Sequence, residues 1–105
     1  SLACVAANAT IDYILKEKLM RNAANMGANF MKELSRLKGI KSVRGMGFMI
    51  AAVLEKKKAK DVAIAALEKG LLLNNVAEDT IRFLPPLIAG RQEVDLCLKI
   101  LSQIL

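Results

Sequence analysis

Near Gly39 the chain changes from a helical to an extended hydrophobic pattern. Between Met20 and Leu37 the apolar and small residues recur at intervals of three and four, which predicts an amphipathic helix, and the Lys38-Gly39 pair is a typical helix end. Residues 42–54 are instead apolar at both alternating sets of positions, which predicts a strand covered on both faces. A single chain that carries both patterns belongs to the mixed helix-and-sheet class.

The same periodicities assign the other elements. Residues 2–18 are helical in composition, so we expect one long helix over about 2–37, with a bend allowed at residues 19–22. Further helices are predicted over 58–69 and 91–104, and strands over 71–75 and 80–84, the last stopped by Pro85-Pro86. The order α-β-α-β-β-α predicts an α+β domain spanning residues 1–105. Its small three-stranded mixed sheet has the third strand in the centre, a right-handed crossover between the first two, and the helices on one face.

Composition excludes several kinds of site. The chain has no histidine, so it can form neither a His-containing metal site nor a Ser-His-Asp triad, and we expect no metal. Cys4 and Cys97 are too few for a disulfide framework and are predicted to be buried free thiols in a reducing compartment. The hydrophobic share of 54% is high for 105 residues, which indicates apolar surface that a missing partner covers. Because the first residues include neither an initiator Met nor a basic signal-peptide head, we expect a segment of a longer chain.

Charge is unevenly distributed. Residues 1–60 carry 12 basic and 4 acidic side chains, a net +8, whereas residues 61–105 carry 4 basic and 6 acidic ones, a net −2. A basic half is compatible with RNA or an acidic protein as partner. Aromatic residues do not alternate with the basic ones, however, and the run 56–58 is short, so it is interpreted as a solvated loop.

Arg82 is the strongest candidate for a binding residue. It lies near the end of a predicted strand, on the face opposite Ile81 and Phe83, and its planar guanidinium is suited to a carboxylate. From the pattern alone, however, an exposed structural arginine is the favoured reading. The segment Arg44–Gly47 has the glycines of a phosphate loop, but no helix follows it, which favours a strand irregularity.

Four short motifs together resemble the C-terminal small domain of class III pyridoxal-phosphate aminotransferases. They occur in the family's order, at Leu2–Cys4, Val43–Met49, Gly70–Asn74 and Ile81–Leu87, and the resemblance extends over essentially all 105 residues. It implies a fold-type I enzyme, cytoplasmic and homodimeric, that transfers the amino group of N-acetylornithine to 2-oxoglutarate in arginine biosynthesis. Ornithine, succinylornithine and 4-aminobutyrate remain alternative amino donors.

The resemblance also implies how the work is divided between domains. Pyridoxal phosphate and its Schiff-base lysine belong to the large domain of the same chain, which would precede Ser1, so no residue here is expected to be catalytic or to bind the cofactor. Arg82 aligns with the family arginine that binds the α-carboxylate of the amino-acid substrate. The small domain alone is therefore expected to be inactive, and neither nucleic acid nor a membrane is expected as a partner.

Two functions of other classes remain open at this point. One is a free-standing basic α+β module that binds RNA or an acidic protein, for which nucleic-acid binding would depend steeply on salt. The other is a structural domain that dimerises through its surplus apolar surface.

Overall fold

Four helices and four strands make up the computed structural model, which describes all residues 1–105. The elements are α1 (Leu2–Lys16), α2 (Leu19–Leu34), β1 (Ile40–Met46), β2 (Met49–Leu54), α3 (Ala59–Glu68), β3 (Asn74–Asn75), β4 (Thr80–Phe83) and α4 (Arg91–Ile104). The predicted helix over 91–104 is confirmed with the same bounds, and the one over 58–69 is shorter by one residue at each end. The predicted strand over 71–75 retains only its last two residues.

The long helix expected over 2–37 is two helices. Lys18 adopts a left-handed backbone conformation (φ 53°, ψ 42°), which interrupts the helix between Lys16 and Leu19. The buried face of α2 consists of Leu19, Ala23, Gly27, Phe30 and Leu34, which confirms the predicted spacing from Ala23 to Leu34. At its start Leu19 is buried instead of Met20, which is exposed, and the helix ends at Leu34, before Leu37. α1 buries none of its residues. Because α1 projects from the body, the radius of gyration is 15.2 Å, compared with about 13 Å for a compact chain of this length.

The sheet has four strands in the order β1-β2-β4-β3, and every neighbouring pair is antiparallel. The predicted count of three was wrong because residues 42–54 form a hairpin, in which Met46 pairs with Met49 across the turn at Gly47 and Phe48. The predicted position of the strand at 80–84 is confirmed, since β4 lies between β2 and β3. β2 and β3 are consequently parallel to each other and are connected through α3, the crossover that the sequence predicts.

All core side chains of the sheet point to one face, where α2, α3 and α4 pack, as expected. Ile50 and Ala52 of β2 pair with Phe83 and Ile81 of β4 on this side, and the four residues are almost fully buried. Phe83 also meets Phe30 of α2 edge to face, with ring centroids 5.3 Å apart. The expectation that both faces of residues 42–54 would be covered was wrong for this chain, because no helix lies on the other face.

A second, smaller cluster forms where three separate segments meet. Ala23 of α2, Phe48 of the β1–β2 turn and Ala89 of the segment before α4 are buried together, with Met26 packed beside them. This cluster connects the hairpin tip and the end of the β4–α4 connection to the same face of α2. None of the helices is long and apolar enough to cross a membrane.

Candidate functional site

Arg82 lies on the face of the sheet that no helix covers. Its neighbours Ile81 and Phe83 are 1% and 4% exposed and fix β4 in the core, whereas Arg82 itself is exposed. Alternation along a strand therefore places the Arg82 side chain opposite the core, as the sequence predicts. We call this uncovered side the open face.

Sheet register places Arg82 in a row of four residues across the open face. Arg82 pairs with Ala51 on β2 and with Asn74 on β3, and Ala51 pairs in turn with Arg44 on β1. Directly paired residues of antiparallel strands point to the same side. Strands lie about 4.8 Å apart, so the Cα atoms of the two arginines are separated by about 10 Å, with only the methyl group of Ala51 between them.

The Arg82 guanidinium has no partner within the chain. The three ion pairs join Arg36 to Glu33, Lys58 to Glu78 and Arg91 to Asp95, and no side-chain hydrogen bond involves Arg82. The strand positions of the open face carry Arg44 and Arg82 but no carboxylate. Five donors in a planar fork therefore remain free on a rigid strand.

A free guanidinium on a strand can bind a carboxylate through two parallel N–H···O bonds. Arg82 is well suited to this because its backbone is held by ladders on both sides, to Ala51 and to Asn74. Its short neighbours leave room for an anion to approach in the plane of the guanidinium. The open face thus has the donors that binding of an anion requires, and its strand positions carry no carboxylate.

An apolar cavity of about 270 Å³ lies on the opposite, helix-covered side. Its lining includes Phe83, the Leu71–Leu73 segment and Cys97, but not Arg82. Burial raises the pKa of the Cys97 thiol to about 12, so this thiol stays protonated and unreactive. No lysine or arginine lines this cavity, so it offers no cation to pair with a carboxylate, and it is separate from the open face.

The remaining sequence candidates occupy structural positions. Arg44–Gly47 ends β1 and enters the hairpin turn, with Gly47 at φ 54°, so it is not a phosphate loop. At Gly45 a side chain would overlap the carbonyl oxygen of Met49, which is the close backbone approach that glycine permits. The lysine run 56–58 is the loop before α3, as interpreted from the sequence, and Lys57 Nζ donates to the Ile104 carbonyl oxygen over 2.6 Å at the end of α4.

Neither a metal centre nor a cofactor cradle is formed by these residues. No group of three Cys, Asp or Glu side chains converges on a point, and every lysine is exposed at the surface. Both cysteines are free, but the prediction that both are buried was wrong for Cys4, which is exposed because it lies on α1, a helix that buries none of its residues.

Sequence reasoning found Arg82 but missed the residues beside it. Arg44 was considered only within a glycine motif, and Asn74 only as a strand residue, because cross-strand neighbours depend on a register that one sequence does not show. A signal was nevertheless present for the hairpin. The 13 residues of 42–54 are far more than the usual five or six of a strand, and they include two glycines near the middle.

The fold is shared with known proteins. The family model for class-III aminotransferases matches residues 1–105. An acetylornithine aminotransferase from Archaeoglobus fulgidus is 41% identical over 100 residues, covering 95% of this chain, and one from Caldanaerobacter subterraneus subsp. tengcongensis is 35% identical over 108 residues, covering 99%. The crystal structure of acetylornithine aminotransferase from Elizabethkingia anophelis superposes on 98% of the chain with a TM-score of 0.88 and 30% identity.

The match involves only part of each relative. This chain spans 26% and 28% of the two curated relatives and 29% of the E. anophelis chain. Within that part the match runs from end to end and includes both the helices and the sheet that carries Arg82. The chain therefore belongs to the class-III aminotransferase family.

Proposed function

We propose that this chain is the C-terminal small domain of a pyridoxal-phosphate-dependent aminotransferase in which Arg82 binds the α-carboxylate of the substrate. The amino donor that fits the named relatives is N-acetylornithine, with 2-oxoglutarate as acceptor. The observation that carries the proposal is the free guanidinium of Arg82, fixed on β4 in an open face without acidic residues. A family member needs such a cation because every 2-oxo acid that it aminates bears a carboxylate.

Pyridoxal phosphate itself does not fit the residues of this chain. The cofactor needs a lysine sheltered from water and a polar cradle for its phosphate, whereas all lysines here are exposed and the cavity beside Phe83 is apolar. We therefore assign the cofactor and its chemistry to a large domain of the same polypeptide. No step of the reaction is assigned to this chain beyond binding and orientation.

Orientation is a substantial contribution to such a reaction. In glutamate and 2-oxoglutarate the α-carboxylate is bonded to the carbon that gains or loses the amino group. Two hydrogen bonds from one planar guanidinium fix both the position of that carboxylate and its rotation about the bond to the reacting carbon. Holding the reacting carbon in one geometry removes rotational freedom before the chemical step begins.

The uncovered parts of the chain indicate where the large domain docks. The open face and α1 are both exposed, and α1 carries large apolar side chains that nothing in this chain covers, among them Leu2, Val5 and Ile11. In the proposal these surfaces face the large domain, so that Arg82 lines the cleft between the domains. The complete enzyme is proposed to be a homodimer in the cytoplasm.

The test is an Arg82→Ala substitution in the full-length enzyme, with two acceptors that differ only in the α-carboxylate. These acceptors are 2-oxoglutarate and succinic semialdehyde, which has a hydrogen atom in place of that group. Loss of a charged pair of roughly 3 kcal/mol should reduce kcat/KM for 2-oxoglutarate by about 10²-fold. The value for succinic semialdehyde should change little.

Arg36→Ala is the matched control. Arg36 is an exposed arginine that pairs with Glu33, and it lies outside the strands that form the open face. Its kcat/KM values should equal those of the parent enzyme. Equal losses for both acceptors in Arg82→Ala, or no loss for 2-oxoglutarate, would remove Arg82 from the substrate site. The isolated 105-residue chain mixed with pyridoxal phosphate should show no turnover, and measurable turnover would contradict the division between domains.

A further inference from the structure

Asn22 makes the only side-chain hydrogen bonds that join α2 to the connection after β4, residues 84–90. Its Nδ2 atom donates to the carbonyl oxygens of Leu87 and Ala89 over 2.8 and 2.9 Å. Asn22 lies in the first turn of α2, 65 and 67 residues away along the chain. One carboxamide thus connects the start of α2 to the connection between β4 and α4.

The connection over 84–90 has little structure of its own. Pro85 and Pro86 have no backbone N–H, and the one backbone hydrogen bond within the connection runs from the Ala89 N–H to the Pro86 carbonyl oxygen. The carbonyl oxygens of Leu87 and Ala89 accept hydrogen bonds from Asn22 alone. Removing the carboxamide therefore leaves both carbonyls without a protein partner.

The end of β4 is held on one side only. Arg82 pairs with Asn74, the first residue of the two-residue strand β3, so the next residue, Phe83, has a ladder partner on β2 but none on β3. Beyond Phe83 the path of the chain is set by the core and by the anchor at Leu87 and Ala89. The two ladders hold the backbone of Arg82, but no partner within the chain orients its side chain, so the direction of the guanidinium depends on how the next residues leave β4.

From these contacts we propose that Asn22 is a positioning residue for the carboxylate-binding Arg82. By holding Leu87 and Ala89 against α2, its carboxamide fixes where β4 ends and hence where the Arg82 guanidinium points. This inference rests on the proposed function, because it assigns to Asn22 an effect on a carboxylate that Arg82 binds. Asn22 itself need not contact the substrate.

The experiment is a double-mutant cycle in the full-length enzyme with 2-oxoglutarate and succinic semialdehyde as acceptors. Asn22→Ala should lower kcat/KM for 2-oxoglutarate by about tenfold, the scale of two hydrogen bonds lost from a loop, and leave succinic semialdehyde within about twofold. In the Arg82→Ala background the same substitution should have no further effect on 2-oxoglutarate. Asn25→Ala is the matched control, since Asn25 is an exposed asparagine of the same helix without a hydrogen bond.

The outcomes distinguish a failure of the proposed function of Arg82 from a failure of the positioning role of Asn22. If Arg82→Ala does not discriminate between the acceptors, the proposed function fails and the positioning role fails with it. If Arg82→Ala does discriminate, an equal loss for both acceptors in Asn22→Ala, or an effect that persists without Arg82, overturns the positioning role alone.

A second pair of variants covers the case in which Asn22→Ala does not yield folded enzyme. Asn22→Gln keeps both N–H donors, whereas Asn22→Asp keeps the size of the side chain but cannot donate. Asn22→Gln should retain more of the preference for 2-oxoglutarate over succinic semialdehyde than Asn22→Asp does. Equal preferences in the two variants would overturn the role of the donors.

Discussion

Gly27→Ala places a single methyl group where a helix and a hairpin touch. A Cβ atom at Gly27 would overlap the carbonyl oxygen of Gly47 and would lie 2.5 Å from its carbonyl carbon and 3.1 Å from its Cα. These are backbone atoms of the β1–β2 turn, where Gly47 has φ 54°, so they cannot move aside as a flexible side chain would. The hairpin tip must instead shift away from α2.

Two effects of opposite sign determine the result. In a helix interior alanine is more stable than glycine by about 1 kcal/mol. Displacing the hairpin tip, however, opens the cluster of Phe48, Ala23 and Ala89, and losing the packing of a buried phenylalanine costs about 3 to 5 kcal/mol. The difference is a net loss of about 2 to 4 kcal/mol in the free energy of unfolding.

The assay is thermal unfolding of the 105-residue chain followed by circular dichroism. At about 4 °C or more per kcal/mol for a domain of this size, the midpoint should fall by at least about 8 °C. Gly70→Ala is the comparison, because Gly70 has φ 81° but nothing within 4 Å of its Cβ position, so only backbone strain applies. That variant should lose about 1 to 2 kcal/mol. A higher midpoint for Gly27→Ala would refute the close approach of α2 and the hairpin.

Three further predictions concern two titrating groups, Cys97 and Glu93. Burial raises the pKa of Cys97 to about 12, so iodoacetamide at about pH 8 should alkylate exposed Cys4 and spare Cys97 until the chain unfolds, as measured by mass spectrometry. Because only the unfolded thiol ionises just above its ordinary pKa of 9.0, Cys97 should reduce the free energy of unfolding as pH rises towards 12, and Cys97→Ala should lose this slope. The Gly90 N–H donates to Glu93 over 2.8 Å and lowers the pKa of that carboxyl, with its own backbone N–H as the second cause. Glu93 therefore stabilises the fold above its ordinary pKa and loses this effect as pH falls below it, so Glu93→Gln should flatten the acid side of the stability profile measured by thermal unfolding.

The parts of the fold that depend on local pattern were predictable. Val94 and Leu101 repeat at helical spacing in α4, and Ile81 and Phe83 alternate in β4, so the element and its buried face follow from the residues themselves. The same alternation correctly placed Arg82 away from the core. Local pattern is sufficient here because each element buries one continuous stripe.

Features that depend on distant contacts were not predictable in this way. The β1–β2 hairpin was interpreted as one strand because apolar residues continue through its turn, where the bulky side chain of Phe48 is buried against α2. The bend allowed at residues 19–22 is a complete break at Lys18, which the sequence did not locate because no proline or glycine marks it. The role of Asn22 depends on carbonyl groups more than sixty residues away.

The most direct measurement of the central claim is a crystal structure of the full-length enzyme with glutamate bound. Our account predicts that both α-carboxylate oxygens accept hydrogen bonds from the Arg82 guanidinium, with N···O distances of about 2.7 to 2.9 Å. It also predicts that the open face of the sheet borders the cleft that contains the cofactor. A substrate whose carboxylate binds another cation, with Arg82 pointing into solvent or paired with an acidic residue of the large domain throughout, would contradict it.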